Sequence, residues 1–185
     1  MVNDIMKELE GGIAKAHDAL KKELAKVRTG RANLALVDGV RVDYYGTPTP
    51  LNQVASLSTP DARLIVIKPW EKKLCPAIEE AVRKAELGVN PQSDGELVRI
   101  PIPALTEERR RELTKVVKRM GEDAKVAIRN VRRDANELLK EYEASGDITE
   151  DDAKNGTKKV QEAVDKGVAS VDEVITKKEA EIMAV

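Results

Sequence analysis

Aromatic residues are scarce in this sequence. Its 185 residues include three tyrosines, one tryptophan and no phenylalanine. Large compact globules usually need aromatic rings to fill their centres, because each ring buries a large apolar area. Thin helical bundles pack well with leucine, isoleucine, valine and alanine instead. The scarcity therefore favours a bundle of helices.

Reactive side chains are equally few. The chain has one cysteine, Cys75, and one histidine, His17. These exclude an intrachain disulfide and are too few for a zinc site with nitrogen and sulfur ligands. No glycine-rich phosphate loop or dinucleotide fingerprint occurs. A Ser-His-Asp triad is also not favoured, because the chain has a single histidine. We expect no catalysis, cofactor or metal, with His17 at a surface or boundary position and Cys75 a partly buried thiol.

Long apolar runs are absent as well. No run of about 18 apolar residues, the length that a membrane-spanning helix needs, is found. The N-terminal residues Met1–Ile5 contain no basic segment leading into an apolar one, as a signal peptide would. We therefore expect a cytoplasmic protein.

Charged residues, by contrast, are plentiful and unevenly distributed. They make up 35% of the chain, yet the net charge is -1. Residues 106–133 contain ten basic and five acidic side chains, whereas residues 134–185 contain seven basic and fourteen acidic ones. Charges more than about 10 Å apart are largely screened at 0.1 M salt. The basic segment can therefore meet a polyanion on its own.

Apolar residues at steps of three and four predict three helices. The first covers residues 3–28, and Gly11-Gly12 is expected to bend or fray it because glycine disfavours a helix. The second begins at Thr106 and ends near Ser145, a length of about 57 Å at the usual rise per residue. The third follows the capping sequence Thr149-Glu150-Asp151-Asp152. Two long helices joined by a short link are antiparallel neighbours, and the first helix completes a three-helix bundle.

The segment between the first two helices has a different pattern. Alternation over Val40–Tyr44 predicts a strand, and Tyr45–Pro50 is expected to be a turn. Strands are also predicted at residues 64–67 and 97–100, with a helix at residues 77–87. The last strand is expected at a sheet edge, because the prolines that follow it cannot donate hydrogen bonds.

The predicted fold class is therefore α+β. An elongated antiparallel three-helix bundle comprises residues 1–30 and 105–185, and a small β/α/β domain of residues 31–104 is inserted into it. Only two stretches of backbone cross between the domains, near Gly30 and Ala104, which predicts a hinge there.

Basic residues of the second helix form its most informative feature. Projected at about 100° per residue, five of them lie on one stripe away from the apolar side. They are Arg111, Lys118, Lys125, Arg129 and Arg132, with Arg133 on one flank and Arg110 on the other. Arginine binds phosphate oxygens with two parallel hydrogen bonds, which favours RNA as the partner. The alternative is an ordinary solvated helix face.

A second basic cluster, Arg28-Thr29-Gly30-Arg31, lies at the predicted domain junction. Cations near the end of a helix favour the helix dipole, and glycine commonly stops a helix, so a purely structural role is one interpretation. Contact with phosphate is the other, and the two are compatible.

Five sequence segments resemble bacterial ribosome recycling factors. They are Arg28–Asn33, Asp43–Leu51, Leu87–Pro91, Leu105–Arg110 and Ala127–Ala135. Each is weak alone, but they occur in order over nearly the whole chain, and a match of all five is highly specific.

The resemblance implies an L-shaped protein that binds the large ribosomal subunit after termination. It also implies that the protein acts with elongation factor G and GTP to split the post-termination complex, and that it has no catalytic residue of its own. Positions matching those that face ribosomal RNA in the family are Arg28, Arg31, Arg110, Arg129, Arg132 and Arg133. Positions matching the hinge are Gly30, Ala104, Leu105 and Thr106.

Two further hypotheses are kept open at this point. A helical scaffold or chaperone would need an exposed apolar groove, whereas the apolar stripes here are expected to be used within the bundle. An enzyme would have to work through Cys75 or His17. We expect a monomer whose partners are the 23S rRNA of the large subunit and elongation factor G.

Overall fold

The computed structural model describes residues 1–184 and divides them into two compact units. Unit 1 comprises residues 1–28 and 107–184, and unit 2 comprises residues 29–106. The helices are α1 (Val2–Ala25), α2 (Leu51–Val54), α3 (Cys75–Lys84), α4 (Glu107–Ala144) and α5 (Glu150–Met183). The strands are β1 (Arg41–Tyr44), β2 (Thr47–Pro50), β3 (Ala55–Asp61), β4 (Leu64–Pro69), β5 (Gln92–Ser93) and β6 (Val98–Pro101). The predicted α+β class, a three-helix bundle with a smaller inserted unit, is confirmed.

Unit 1 is a bundle in which α1, α4 and α5 all contact one another. The expectation that Gly11-Gly12 bends or frays the first helix is wrong, because α1 runs unbroken from Val2 to Ala25. A Cβ atom added at Gly12 would lie 2.7 Å from Cγ1 of Val131 on α4. The missing side chain therefore lets the two helices approach closely, and their packing offsets the low helix propensity of glycine.

One glycine of α4 faces α5. Gly121 and Leu139 are buried, whereas their neighbours Met120 and Leu138 are half-buried. A Cβ atom at Gly121 would lie 2.7 Å from Cγ1 of Ile175 on α5. The side chain of Ile175 therefore fills the notch that this glycine leaves.

The first turn of α5 confirms the predicted capping. The Thr149 hydroxyl accepts a hydrogen bond from the backbone N–H of Asp152 at 3.1 Å, and the Asp152 carboxylate accepts one from the backbone N–H of Thr149 at 3.2 Å. These reciprocal bonds satisfy two amide groups that a helix start leaves without partners. No helix in the described part of the chain combines the length and apolar content needed to cross a membrane.

Unit 2 begins with a two-stranded hairpin. The prediction that Tyr45–Pro50 is only a turn is wrong, because Thr47–Pro50 forms β2 and pairs antiparallel with β1. The turn itself is Tyr45-Gly46, with both residues at positive φ, 51° and 82°. A two-residue hairpin turn of this kind matches the twist of its strands. Proline is tolerated in β2 because a two-stranded sheet leaves one side of each strand without a ladder.

A four-stranded antiparallel sheet forms the rest of unit 2, in the order β3-β4-β6-β5. The expectation that residues 97–100 lie at an edge is wrong, because β6 pairs with β4 on one side and β5 on the other. Pro101 lies beyond the two-residue reach of β5 and pairs only with Leu64, so it interrupts no ladder. The short strand β5 and the largely exposed strand β3 were not predicted.

The core of unit 2 lies between the sheet, the hairpin and α3, and consists mainly of branched aliphatic side chains. Cys75, expected to be partly buried, is only 1% exposed, because it begins α3 and faces this core. The helix itself ends at Lys84, three residues before the predicted end, and Glu86 and Gly88 follow at positive φ.

Candidate nucleic-acid interface

The cations of α4 differ in how far they are available to a ligand. Lys118 and Arg129 are exposed, and neither side chain makes a hydrogen bond or ion pair with residues 1–184. Arg133 is exposed and, among the described residues, forms an ion pair only with its neighbour Asp134, at 3.9 Å. Arg111 pairs with Glu107 one turn earlier, and both side chains are largely exposed. Exposed ion pairs of this kind are weak and exchange readily with a phosphate.

Lys125 is less available to a ligand than these cations of α4. Its amine contacts Asp172 of α5 at 2.5 Å and Glu122 at 3.3 Å, and its side chain is only 17% exposed. The hydrogen bond to Asp172 is the main reason that the pKa of Lys125 is raised. Lys125 therefore joins two helices of the bundle, and its charge is already matched by carboxylates.

Arg110 is half-buried near the start of α4. Its Nε atom is buried and has no hydrogen-bond partner among residues 1–184. Its position on a flank of the predicted stripe fits this partial burial.

A groove between α4 and α5 brings the densest group of cations together. It has a volume of about 480 Å³, and its charged lining consists of Arg129, Arg132, Arg133, Lys140 and a single carboxylate, Glu137. Its remaining lining residues are Asn130, Asn136 and Gln161. Four cations against one acid give the groove a net positive charge, which favours an anionic ligand.

Arg132 is held at the α5 side of this groove. Its Nη1 atom donates to Oε1 of Gln161 at 3.4 Å. Gln161 in turn donates from Nε2 to Asp165 at 2.7 Å. One arginine of the predicted stripe is therefore oriented by a residue of another helix.

Sequence reasoning missed Asn136, Lys140 and Gln161 as parts of this groove. Lys140 lies eight residues after Arg132 and seven after Arg133, a spacing that keeps it on the same side of the helix. That signal was available. Gln161 belongs to α5, and no pattern along the chain connects it with α4.

The predicted junction residues lie at the end of unit 2. Gly30 has φ +74°, and a Cβ atom added there would lie 3.1 Å from Cγ of Leu105. Arg28, Arg31, Ala104 and Thr106 are exposed, whereas Leu105 is half-buried. A left-handed conformation and a close approach to the returning chain both favour glycine at position 30.

The turn between β3 and β4 holds both ends of unit 2. Ala32 donates from its backbone N–H to the carbonyl oxygen of Ala62 at 2.7 Å. Ile102 donates in the same way to the carbonyl oxygen of Arg63 at 2.8 Å. The entering and leaving segments are thus both tied to one turn of unit 2.

Neither His17 nor Cys75 is positioned to act as a catalytic base or nucleophile. His17 is half-buried, as expected for a boundary position, and its Nε2 lies 3.1 Å from the carbonyl oxygen of Gly167. Cys75 is closed off in the core of unit 2. Within residues 1–184, no three His, Cys, Asp or Glu side chains converge as metal ligands would.

Comparison with known proteins agrees with this arrangement. The family model for ribosome recycling factor matches residues 20–183. A ribosome-recycling factor of Anaeromyxobacter sp. (strain Fw109-5) is 63% identical over 185 residues, which cover 100% of this chain and 99% of the relative.

Solved structures are similar over the same length. The solution structure of the ribosome recycling factor matches with a TM-score of 0.76 and 41% identity, covering 100% of this chain and 98% of the other. A further match, at TM-score 0.65 and 39% identity over 99% of each chain, is to models for the T. thermophilus ribosome recycling factor and the E. coli elongation factor G bound to the E. coli post-termination complex. The chain therefore belongs to the ribosome recycling factor family, a family of translation factors that are not enzymes.

Proposed function

We propose that this protein binds the large ribosomal subunit after termination through the cationic face of α4 and, with elongation factor G and GTP, splits the post-termination complex. The observation that carries the anchoring role is the groove in which Arg129, Arg132, Arg133 and Lys140 face a single carboxylate. We propose 23S rRNA as the ligand of that face, and a monomer acting in the cytoplasm, where the ribosome is found.

The family relationship supports the recycling role. The T. thermophilus relative, at 39% identity, has been placed with elongation factor G on a post-termination complex. The scaffold hypothesis is not favoured, because the exposed valines of α4, Val116 and Val126, lie ten residues apart, about 15 Å along the helix. The enzyme hypothesis loses its basis because His17 and Cys75 are engaged or buried.

The two units have different proposed roles, because only two stretches of backbone join them. Unit 1 supplies a rigid anchor, because its long helices are packed along their length. Gly30 and residues 104–106 are the proposed hinge, and Arg28 and Arg31 add phosphate contacts beside it. Unit 2 is then the element that elongation factor G moves, and the GTPase supplies the free energy for breaking intersubunit contacts.

Among the predicted RNA contacts, we assign direct phosphate binding to Lys118, Arg129, Arg132 and Arg133, with Arg110 and Arg111 at the edge of the face. Lys125 contributes mainly by holding α5 against α4, since its charge is already paired. Five or six phosphate contacts predict a slope of about -4 to -5 in a plot of log affinity against log salt.

The sharpest test is the affinity of Arg132→Ala for isolated large subunits, measured by sedimentation at several salt concentrations. We expect about tenfold to hundredfold weaker binding and slower subunit splitting, because a charge-assisted contact is lost. The salt slope should also fall by about one.

Lys15→Ala is the matched control, since Lys15 is an exposed cation on α1. Its affinity and splitting rate should be those of the unsubstituted protein. Unchanged binding of Arg132→Ala at physiological salt, in a variant with normal thermal unfolding, would refute the anchoring role.

A further inference from the structure

We infer that the groove between α4 and α5 binds a ribonucleotide unit through a hydrogen-bond donor of the ligand, at Asn136, as well as through its phosphates. This inference rests on the proposed binding to ribosomal RNA and makes it more specific. It concerns three residues outside the predicted interface: Asn136 and Lys140 on α4, and Gln161 on α5.

Asn136 supplies the first observation. Its side chain lines the groove, and its Oδ1 atom is buried and has no hydrogen-bond partner among residues 1–184. An unpaired amide oxygen is costly when shielded from water, so a ligand that brings a donor is favoured. The terminal torsion of asparagine has a broad minimum, so rotation about it can bring the amide oxygen to the groove surface, where a ligand can reach it.

Because this amide oxygen is a hydrogen-bond acceptor, its ligand must supply a donor. A phosphate diester offers only acceptors and cannot satisfy another acceptor. A ribonucleotide offers both kinds of group: phosphate oxygens for the cations, and a 2′-hydroxyl or an exocyclic base amine as donor. Arg129, Arg133 and Lys140 can therefore hold the backbone while Asn136 meets the nucleoside.

Gln161 supplies the second, independent observation. Its amide is oriented by the 2.7 Å hydrogen bond from Nε2 to Asp165, which leaves Oε1 facing Arg132 at 3.4 Å. This contact is long for a charge-assisted hydrogen bond, so Arg132 keeps donors for a ligand while its guanidinium direction is restrained. Gln161 is thus a positioning residue for Arg132.

The experiment measures binding of Asn136→Leu to isolated large subunits over a range of salt concentrations. Leucine is of similar size and can neither donate nor accept. We expect affinity to fall about tenfold, as for one uncharged hydrogen bond, while the salt slope stays unchanged because no phosphate contact is lost. Asn155→Leu, at an exposed amide elsewhere on α5, is the matched control and should bind normally.

Chemical probing of 23S rRNA in saturated complexes identifies the donor. If a 2′-hydroxyl meets Asn136, the Asn136→Leu complex should gain 2′-hydroxyl acylation at one or two nucleotides that the unsubstituted protein protects. If a base amine meets it, the gain should appear in dimethyl sulfate methylation of an adenine or cytosine. Either result supports the proposal.

Three results would overturn it: Asn136→Leu binding as tightly as the unsubstituted protein, a salt slope that falls with the affinity, or probing patterns that do not change. The Arg132→Ala measurement separates these results from failure of the proposed function, because weaker binding by that variant shows that the cationic face of α4 binds the subunit whatever Asn136 does. Gln161→Leu keeps the test available if Asn136→Leu does not fold, and should weaken binding by less than Arg132→Ala does.

Discussion

Unit 1 and unit 2 bury their apolar residues in opposite ways. The bundle of unit 1 relies on close approach of helices, with Gly12, Gly121 and Gly156 each facing a branched side chain that leaves no room for a Cβ atom. Unit 2 closes its core with aliphatic residues from strands, a hairpin and α3. Two of its aromatic residues stay outside, with Tyr45 73% exposed and Trp70 69% exposed, while Tyr44 packs partly against the core.

The contrast shows how each unit presents a surface. Close packing in unit 1 leaves long, regular helix faces, and the cations of α4 can line up along one of them. Unit 2 instead holds two neighbouring tyrosines in place, since the hydroxyls of Tyr44 and Tyr45 both donate to Glu71, at 2.9 and 3.1 Å. The hydrogen bond to this carboxylate raises the pKa of Tyr44.

The largest expected effects come from cavities in the two cores. Ile128 in unit 1 and Ile67 in unit 2 are both fully buried. We expect Ile128→Ala and Ile67→Ala each to lower the free energy of unfolding by about 2–5 kcal/mol. Hydrogen exchange measured by mass spectrometry should show lost protection mainly in the unit that carries the substitution. Equal loss in both units would show that the cores are not separate.

Two neighbouring glycines of α1 differ in how closely another helix approaches them. A Cβ atom at Gly11 meets nothing within 4 Å, whereas one at Gly12 lies 2.7 Å from Val131. We expect Gly11→Ala to stabilise the protein by about 0.5–1 kcal/mol, because alanine favours the helix.

Gly12→Ala should be destabilising by about 1–2 kcal/mol, since valine is stiff at χ1 and the overlap outweighs the gain in helix propensity. Urea unfolding measures both variants. A Gly12→Ala protein as stable as Gly11→Ala would mean that α1 and α4 do not need to approach so closely.

The smallest expected effects are acid-dependent and occur in both units. A hydrogen bond from the Thr149 hydroxyl lowers the pKa of Asp152 in unit 1, and one from the backbone N–H of Leu97 lowers the pKa of Asp94 in unit 2. Carboxyls with a lowered pKa in the folded state stabilise it at neutral pH. That contribution is complete above the ordinary value of 3.8 and is lost as the pH falls through the lowered pKa.

The check is stability against pH for Asp152→Ala and Asp94→Ala. Each should be less stable than the unsubstituted protein at pH about 6, and the difference should disappear by pH about 2. A difference that persists at low pH would show that the carboxylate charge is not responsible.

The long helices were predictable because their signals are local. Apolar steps of three and four, the capping sequence at Thr149 and the acids after Thr106 all act within a few residues of one another. The strands of unit 2 were harder, since β3 carries Ser and Thr on an exposed surface and β2 contains two prolines. What makes these segments strands is the partner on the other side of the ladder, which lies elsewhere in the chain.

The same limit applies to the candidate site. The stripe of Arg129, Arg132 and Arg133 follows from helical periodicity alone, and so does the charge contrast between residues 106–133 and 134–185. Sequence by itself therefore determined the class of fold, the basic face of α4 and the family. Tertiary structure decided that Lys125 pairs with Asp172, that Gln161 faces Arg132 and that Gly12 brings two helices together. The reason is physical: periodicity specifies the direction in which a side chain leaves its own helix, but its partner depends on how the helices pack.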